Sequence, residues 1–345
     1  MAERDILLQS VANTIATYKM GEIPVPTPGH VDRWVSQFGQ QLAFLREFDH
    51  VLKASFYTEH RIRTFLHTLV HSVKVAGASP AAYWRSVHFL SIQKNGSSQR
   101  DMLRLFGEAL LQQFGIDIKA CGQDGGDFIY LDDAIFSGGR VSQDLEPWIR
   151  QNAPAKAKIH VIAGVMHRGG YFQSQQHLNA VAKDAGKDIT LKFWYETQLE
   201  SRKFFRNVSQ ILWPVAIPGT PDVATYMAKP AKYPFMLRAV QTPHQSPFSS
   251  EAARQILEEE FFVAGAKIVA KIVSPKPSIR PLGFSPFGVG FGALTATYRN
   301  CPNNCPLSMW WGDPEATSGA LCWYPLLPRD TYSTPTSVFH ELTDF

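Results

Sequence analysis

The string Phe128-Ile129-Tyr130-Leu131-Asp132-Asp133-Ala134-Ile135-Phe136-Ser137-Gly138-Gly139-Arg140-Val141 constrains the fold of this chain more than any other segment. Its apolar opening predicts a buried strand, two adjacent carboxylates stand at the carboxyl end, and small residues then turn the chain into a helix. A strand delivered directly into a helix is the repeating unit of a parallel sheet with crossover helices. The neighbouring sequence continues that alternation. Val87 to Ile92 reads as a short strand, and Met102, Leu105, Phe106, Ala109, Leu110 and Phe114 mark one face of a helix. Phe128 to Leu131 is the next strand, Val141 to Ile149 a helix, and Ile159 to Val165 a third strand. A helix around Ser174 to Ala185 and a strand from Ile189 to Tyr195 complete the series. Right-handed crossovers are expected to join these strands.

The flanks read differently. Up to about residue 80, apolar positions such as Ile6, Leu7, Val11, Ile15 and Tyr18, then Leu42, Leu45 and Phe48, then Ile62, Phe65, Leu66 and Leu69, return at helical spacing. Pro/Gly-rich breaks at Gly21 to Gly29 and Gly77 to Pro80 punctuate them. Beyond Ser201, one helix is clear: Ser250-Glu251 opens it and Ile256, Leu257, Phe261, Phe262, Ala266, Ile268 and Val269 carry it toward Ile272. The expected organisation is therefore an N-terminal helical region over 1–80, an α/β core over 81–200 and a C-terminal extension over 201–345.

A chain of 345 residues can bury a sizeable core, and 45% hydrophobic with 19% charged residues excludes a disordered or fibrous protein. The net charge of +4 is spread along the chain without the basic run that marks a nucleic-acid footprint, but it suits a phosphate-bearing ligand. The start, Met1-Ala2-Glu3-Arg4-Asp5, leads into no signal-type apolar stretch, and no span reads as a membrane helix, so a cytoplasmic protein is expected. Cys121, Cys301, Cys305 and Cys322 form no disulfide framework. Cys301, Cys305 and Cys322 with the distant His340 have poor spacing for zinc, so inert thiols are expected and zinc is not. Trp310 and Trp311 read as core or interface residues.

Chemistry points to the first loop. Gly138 and Gly139 let backbone amides approach a ligand, and the helix that follows offers unpaired N–H groups and a positive dipole end to a phosphate. Asp132 and Asp133 suit a ribose, whose hydroxyls can donate to carboxylates directly or through Mg²⁺. The order of these parts resembles the phosphoribosyl diphosphate motif of the phosphoribosyltransferases at Asp132, Asp133, Ser137, Gly138 and Gly139. Arg140 stands where that family commonly has a hydroxyl residue. Phe136 stands where members acting on 6-oxopurines hold an acidic base, a role that Phe136 cannot fill.

The resemblance implies an α/β fold: a type I phosphoribosyltransferase-like parallel sheet flanked by helices, with the N-terminal helical region and a C-terminal α+β extension. It implies that Ser137, Gly138, Gly139 and Arg140 hold a 5-phosphate and that Asp132 and Asp133 fix the ribose, with Mg²⁺ directly or through water. It also implies a diphosphate loop after an earlier strand. Here that loop is Gln93 to Arg100, with Lys94, Gly96, Ser97 and Ser98 as candidate contacts; a solvated polar turn fits the same residues. At the end of the third strand Arg168 could face a phosphate and Tyr171 could stack on a base, or the segment is a surface turn.

The tail, with Cys301-Pro302-Asn303-Asn304-Cys305-Pro306 and Trp310-Trp311-Gly312, adds a narrower likeness. Together with the motif it resembles phosphoribosyltransferase-like effectors of bacterial conflict systems, including those encoded with retrons and partner ATPases. That resemblance implies a toxic antiphage effector acting on nucleotides or RNA, with an ATPase and a reverse transcriptase or its noncoding RNA as partners. A non-catalytic ligand-sensing or scaffold subunit and a nucleotide-salvage phosphoribosyltransferase are the alternatives.

Overall fold

A computed structural model describes residues 2–94, 96–122, 125–229, 235–241 and 246–329. His340, and Asn95 of the diphosphate-type loop, lie outside the described residues. In chain order the elements are α1 (Glu3–Thr14), α2 (Pro28–Val35), α3 (Gln41–Ser55), β1 (Phe56–Tyr57), α4 (Glu59–Val70), α5 (Val73–Ala76), α6 (Pro80–Ser86) and β2 (His88–Phe89). The alternating core follows with α7 (Ser98–Phe114), β3 (Phe128–Ile135), α8 (Gly139–Gln151), β4 (Lys156–His167), α9 (Arg168–Asp184) and β5 (Asp188–Leu199). Then come α10 (Pro221–Met227), α11 (Glu251–Ala270), β6 (Ala296–Thr297) and α12 (Leu307–Trp310).

The chain divides into two compact units, one made of residues 1–58 with 205–345 and the other of residues 59–204. The N-terminal helices up to α3 therefore share a unit with the C-terminal segment, while residues 59–80 belong with the α/β core.

In the unit of residues 59–204, β2, β3, β4 and β5 form a fully parallel sheet in that order. Right-handed crossovers from β3 to β4 and from β4 to β5 send α8 and α9 to one face, while α7 packs through Phe106 against Phe89 of β2 and Trp84. The packing agrees: Tyr130, Ile159, Val161 and Leu191 of the strands bury against Val141, Leu145 and Ile149 of α8 and Leu178, Val181 and Ala182 of α9. The strands are longer than their apolar runs because parallel pairing continues past them. β3 and β4 stay in register from Phe128 opposite Ile159 to Ile135 opposite Met166, which carries both aspartates into the strand. β2 is shorter than expected and pairs only through His88 and Phe89, with one further bond from Leu90 N to Ile129 O.

At the amino-terminal side of this sheet a polar network fixes its members by donor logic. Trp194 Nε1 can only donate, and it lies 2.7 Å from His160 Nδ1, so that nitrogen is unprotonated and Nε2–H faces Asp127 at 3.0 Å. Burial lowers the His160 pKa, and Asp127 also accepts from Tyr83 and Lys158.

The other unit is built on α3 and α11. Phe38, Phe44, Phe48 and Phe261 pack with Trp34 in one aromatic cluster, Phe38 stacking on Phe44 at 4.1 Å between ring centres. Ser250 caps α11 as expected by accepting from Ala253 N at 3.1 Å. Glu260 of α11 accepts from Gly39 N and Gln40 N at the start of α3, which satisfies amides that a helix N-terminus leaves open. β1 and β6 pair in parallel, Phe56 opposite Ala296. Trp310 and Trp311 are buried, as are the free thiols of Cys301 and Cys305, and burial pushes the Cys305 thiol well up, so it stays protonated. Among the described residues no helix is long and apolar enough to cross a membrane.

Candidate functional site

The candidate site lies at the carboxyl edge of the four-stranded sheet, entirely within residues 59–204. Strand order follows chain order, so no reversal of order among the described strands marks the edge. The termination of β2 does. Past Ile129 that flank of β3 meets the loop leading into α7 instead of another strand.

Two glutamines close this loop. Gln99 Oε1 accepts from Ile92 N at 2.7 Å and Gln93 N at 2.9 Å, and Gln93 Oε1 accepts from Gln99 N at 3.1 Å. Their side chains thus supply partners that a neighbouring strand would otherwise provide. Gln93 Nε2 donates to Ser98 Oγ at 3.0 Å. The Ser98 hydroxyl reaches Gln93 Oε1 at 3.4 Å and also hydrogen-bonds the Asp132 carboxyl. The two loops expected to serve one ligand are therefore joined by a Ser98–Asp132 hydrogen bond. Lys94 and Gly96 are exposed on the same loop, and Ser97 is half-buried.

Asp132 departs from expectation. A strand ending at Leu131 predicts a solvent-facing carboxylate, but Asp132 is 3% exposed, because β3 runs on through it and places it opposite Ala163, on the same sheet face as the Tyr130–Val161 row. Burial raises its pKa to about 8, with the neighbouring Asp133 charge adding to the rise and the bonds from Ser98 and the Asp133 amide opposing it. The Asp133 N–H reaches Asp132 Oδ1 at 2.9 Å, and the two side chains also hydrogen-bond. At neutral pH the buried member of this pair holds a proton while Asp133 is half-buried. Burial is the larger cause of the Asp132 shift, and the adjacent charge adds to it.

Beyond the strand, Gly138 takes the left-handed conformation, φ 81°, and α8 begins at Gly139. Gly138 serves the fold. A Cβ there would lie 2.4 Å from the carbonyl oxygen of Gly170, and a Cβ on Gly170 would lie 2.1 Å from that of Phe136, so the starts of α8 and α9 pack backbone to backbone. Gly139 is the open position: its Cβ would meet only Ser137 Oγ, at 3.5 Å. First-turn amides have no intrahelical acceptor; the Gly139 N–H donates to Ser137 Oγ in a long bond of 3.4 Å that an anion could replace, and the Arg140 amide belongs to the same turn. Arg140 is exposed and its charge is felt by Asp144, which accepts from Tyr130 Oη at 2.8 Å. Gly138→Ala is expected to destabilise the protein by about 1–2 kcal/mol from the left-handed backbone alone, with the clash against the Gly170 carbonyl adding to it. Gly139→Ala should melt within a few degrees of the parent; thermal denaturation of both variants checks the contrast.

Phe136 stacks on His167 with ring centres 4.9 Å apart, and burial lowers the His167 pKa to about 3, so the ring is neutral. Arg168 opens α9 and stands near this edge through the Gly138–Gly170 contact, but its guanidinium turns to Glu200 at 3.4 Å. Glu200 is held by Arg202 at 2.7 Å, and although burial pushes its carboxyl up, the bonds from Arg202 keep it low. Ser201 Oγ accepts from Gly169 N at 3.1 Å and so caps α9. The structure thus brings Asp132, Asp133 and Ser98 together, and sets Ser137 to Arg140 two residues past the end of their strand. Arg168 is drawn toward the end of β5. Sequence reasoning missed Gln93, Gln99, Glu200, Ser201 and Arg202; for the glutamines the signal was an i, i+6 pair bracketing a glycine turn.

A family model, PRTase-CE, matches residues 31–329. No curated protein and no solved structure matches the chain.

Proposed function

The chain belongs to the PRTase-CE family, a phosphoribosyltransferase-like family, and from that premise we propose that it binds a 5-phosphorylated ribose, as phosphoribosyl diphosphate or a nucleotide, at the carboxyl edge of its parallel sheet. The observation that carries this reading is the hydrogen bond from Ser98 to Asp132, which ties the loop after β2 to the strand that ends at the glycine elbow. In this arrangement Asp133, half-buried rather than enclosed, takes the ribose hydroxyls. The first-turn amides of α8 hold the 5-phosphate with Ser137 and Arg140, the phosphate taking over the long bond from Gly139 N to Ser137 Oγ. Lys94, Gly96, Ser97 and Ser98 face the diphosphate, with Lys94 supplying charge.

Mg²⁺ fits this donor set, since adjacent hard-oxygen carboxyls with a substrate diphosphate are its usual environment. Asp133 would hold it, and Asp132 would join on losing its proton. Bound there, the ion would offset charge on a departing diphosphate. The chemistry that suits the site is displacement at the anomeric carbon, where a bond to an acceptor forms as the bond to diphosphate oxygen breaks. The chain's contribution is positioning: hydroxyls on Asp133, phosphate on the α8 amides. Phe136 supplies no acidic or basic group to an acceptor base, which favours an effector acting on nucleotides or RNA over salvage of 6-oxopurines. The antiphage role, with an ATPase and a reverse transcriptase or its RNA as partners, is part of this proposal and rests on the sequence likeness of the tail. A ligand-sensing subunit without turnover is the second reading, favoured by the proton on Asp132.

Calorimetric titration with phosphoribosyl diphosphate and Mg²⁺ tests the binding claim. Asp133→Asn is expected to weaken it by at least about tenfold, the equivalent of one charge-assisted hydrogen bond. Diphosphate release in the parent, with nucleotide or RNA acceptors, separates catalysis from sensing. Unchanged affinity in Asp133→Asn would count against the site.

A further inference from the structure

Between α9 and the unpaired side of β5 lies a cleft of about 500 Å³, within the range of small-molecule sites. It belongs wholly to the unit of residues 59–204 and opens beside the residues that draw Arg168 away from the strand end. Arg168, Arg202 and Lys192 line it, against the single carboxylate of Glu200 that pairs with both arginines. The balance of fixed charge is positive. Its walls also carry Tyr171, Phe172, Phe193 and Tyr195. Tyr171 stands edge-on to Phe193, with ring centres 4.8 Å apart, so these two pack together in the cleft wall. Phe172 and Tyr195 are 46% and 41% exposed. Large aromatic surfaces left in water beside fixed cations suit a planar ring joined to an anion, because stacking and charge pairing then act on one molecule.

We propose that the α9–β5 cleft is a nucleotide-binding site, taking a base against Phe172 and Tyr195 and a phosphate against Arg168 and Arg202. It is distinct from the Asp133–Gly139 site and does not depend on the reading given for that site. The same chemistry is presented by a free nucleoside monophosphate and by the end of a single-stranded RNA. The position of the cleft, along the sheet edge and next to the start of α9, makes it a second recognition surface of the same unit.

Photolabelling of the full chain with 8-azidoadenosine monophosphate, and with a short oligoribonucleotide ending in the same base, tests the proposal. Labelled peptides are expected to come from α9 and β5. Adenosine monophosphate should compete and ribose 5-phosphate should not. Phe172→Ala and Tyr195→Ala, both at exposed positions that the fold tolerates, should each weaken labelling by about tenfold or more. Asp133→Asn should leave labelling of the α9 and β5 peptides unchanged. Stronger labelling by the mononucleotide or by the oligonucleotide identifies the source, and either outcome supports the cleft. Absence of labelling with both probes overturns the proposal, as does labelling that persists in both aromatic variants or disappears in Asp133→Asn. Failure of phosphoribosyl diphosphate to bind the parent would leave this result untouched, so the two sites fail separately.

Discussion

Asp132→Asn is expected to raise the melting temperature at pH 9 and to leave it nearly unchanged at pH 4. The folded protein holds a proton on Asp132 up to about pH 8, whereas the unfolded chain releases it near the ordinary value of 3.8. Between these values the native state binds more protons than the unfolded state, so stability falls as pH rises. The contribution is complete below the unfolded value and lost as pH passes through about 8. Asparagine mimics the protonated carboxyl and removes that slope. The difference at high pH has an upper bound of roughly 6 kcal/mol, since each tenfold change in proton affinity between the folded and unfolded chain corresponds to about 1.4 kcal/mol. Melting curves from pH 4 to 9 measure it. A parent protein whose stability does not decline relative to Asp132→Asn above neutrality would show that Asp132 is not a buried, protonated acid. The same group bears on ligand binding, because Mg²⁺ coordination by Asp132 must expel its proton.

Glu258→Ala is expected to cost about 3–5 kcal/mol, the usual penalty for removing one partner of a buried ion cluster. Glu258 lies in α11 between Arg238 and Arg254, all three almost wholly enclosed. Its Oε1 accepts from Arg254 Nε at 2.8 Å and from Trp213 N at 3.0 Å, and its Oε2 from Arg238 Nη2 at 2.9 Å. Arg254 spends its other donors on Ser209 and on the Ile211 carbonyl, and Arg238 reaches Glu251. Without Glu258, two buried guanidiniums face each other with their shared counter-charge gone. Replacing Arg254 with Met alongside Glu258→Ala should recover part of the loss, since the burial of unpaired charge is what dominates. Denaturant unfolding of the single and double variants checks this, with the recovery as the informative quantity.

The alternation of strands and helices was legible because period-two and period-3.6 patterns survive in single segments such as Phe128 to Leu131 and Met102 to Phe114. Helix α9 begins at Arg168 rather than near Ser174, because Ser201 caps a start that contains two glycines and no local capping residue. The burial of Asp132 was not legible. A strand that stops at Leu131 leaves both acids at an edge, and only the pairing of β3 with β4 as far as Ile135 shows that Asp132 lies inside it. The requirement for glycine at 138 was legible, but its cause was not, since the contact with Gly170 joins residues from successive strand-helix units. The grouping of residues 1–58 with the C-terminal segment depends on pairings such as Phe56 with Ala296, which no local pattern encodes. The C-terminal ion cluster was hidden for a similar reason: Arg238, Arg254 and Glu258 are ordinary surface types until three distant segments enclose them.

Whether a sugar phosphate sits between Asp133 and the start of α8 is most directly measured by following glycine amide resonances of the ¹⁵N-glycine-labelled protein as ribose 5-phosphate is added. Gly139 should shift and saturate with the ligand, and Asp133→Asn should weaken that response while Gly186, in the turn after α9, stays still throughout. Saturable binding that leaves Gly139 unmoved would place the phosphate elsewhere and contradict the account.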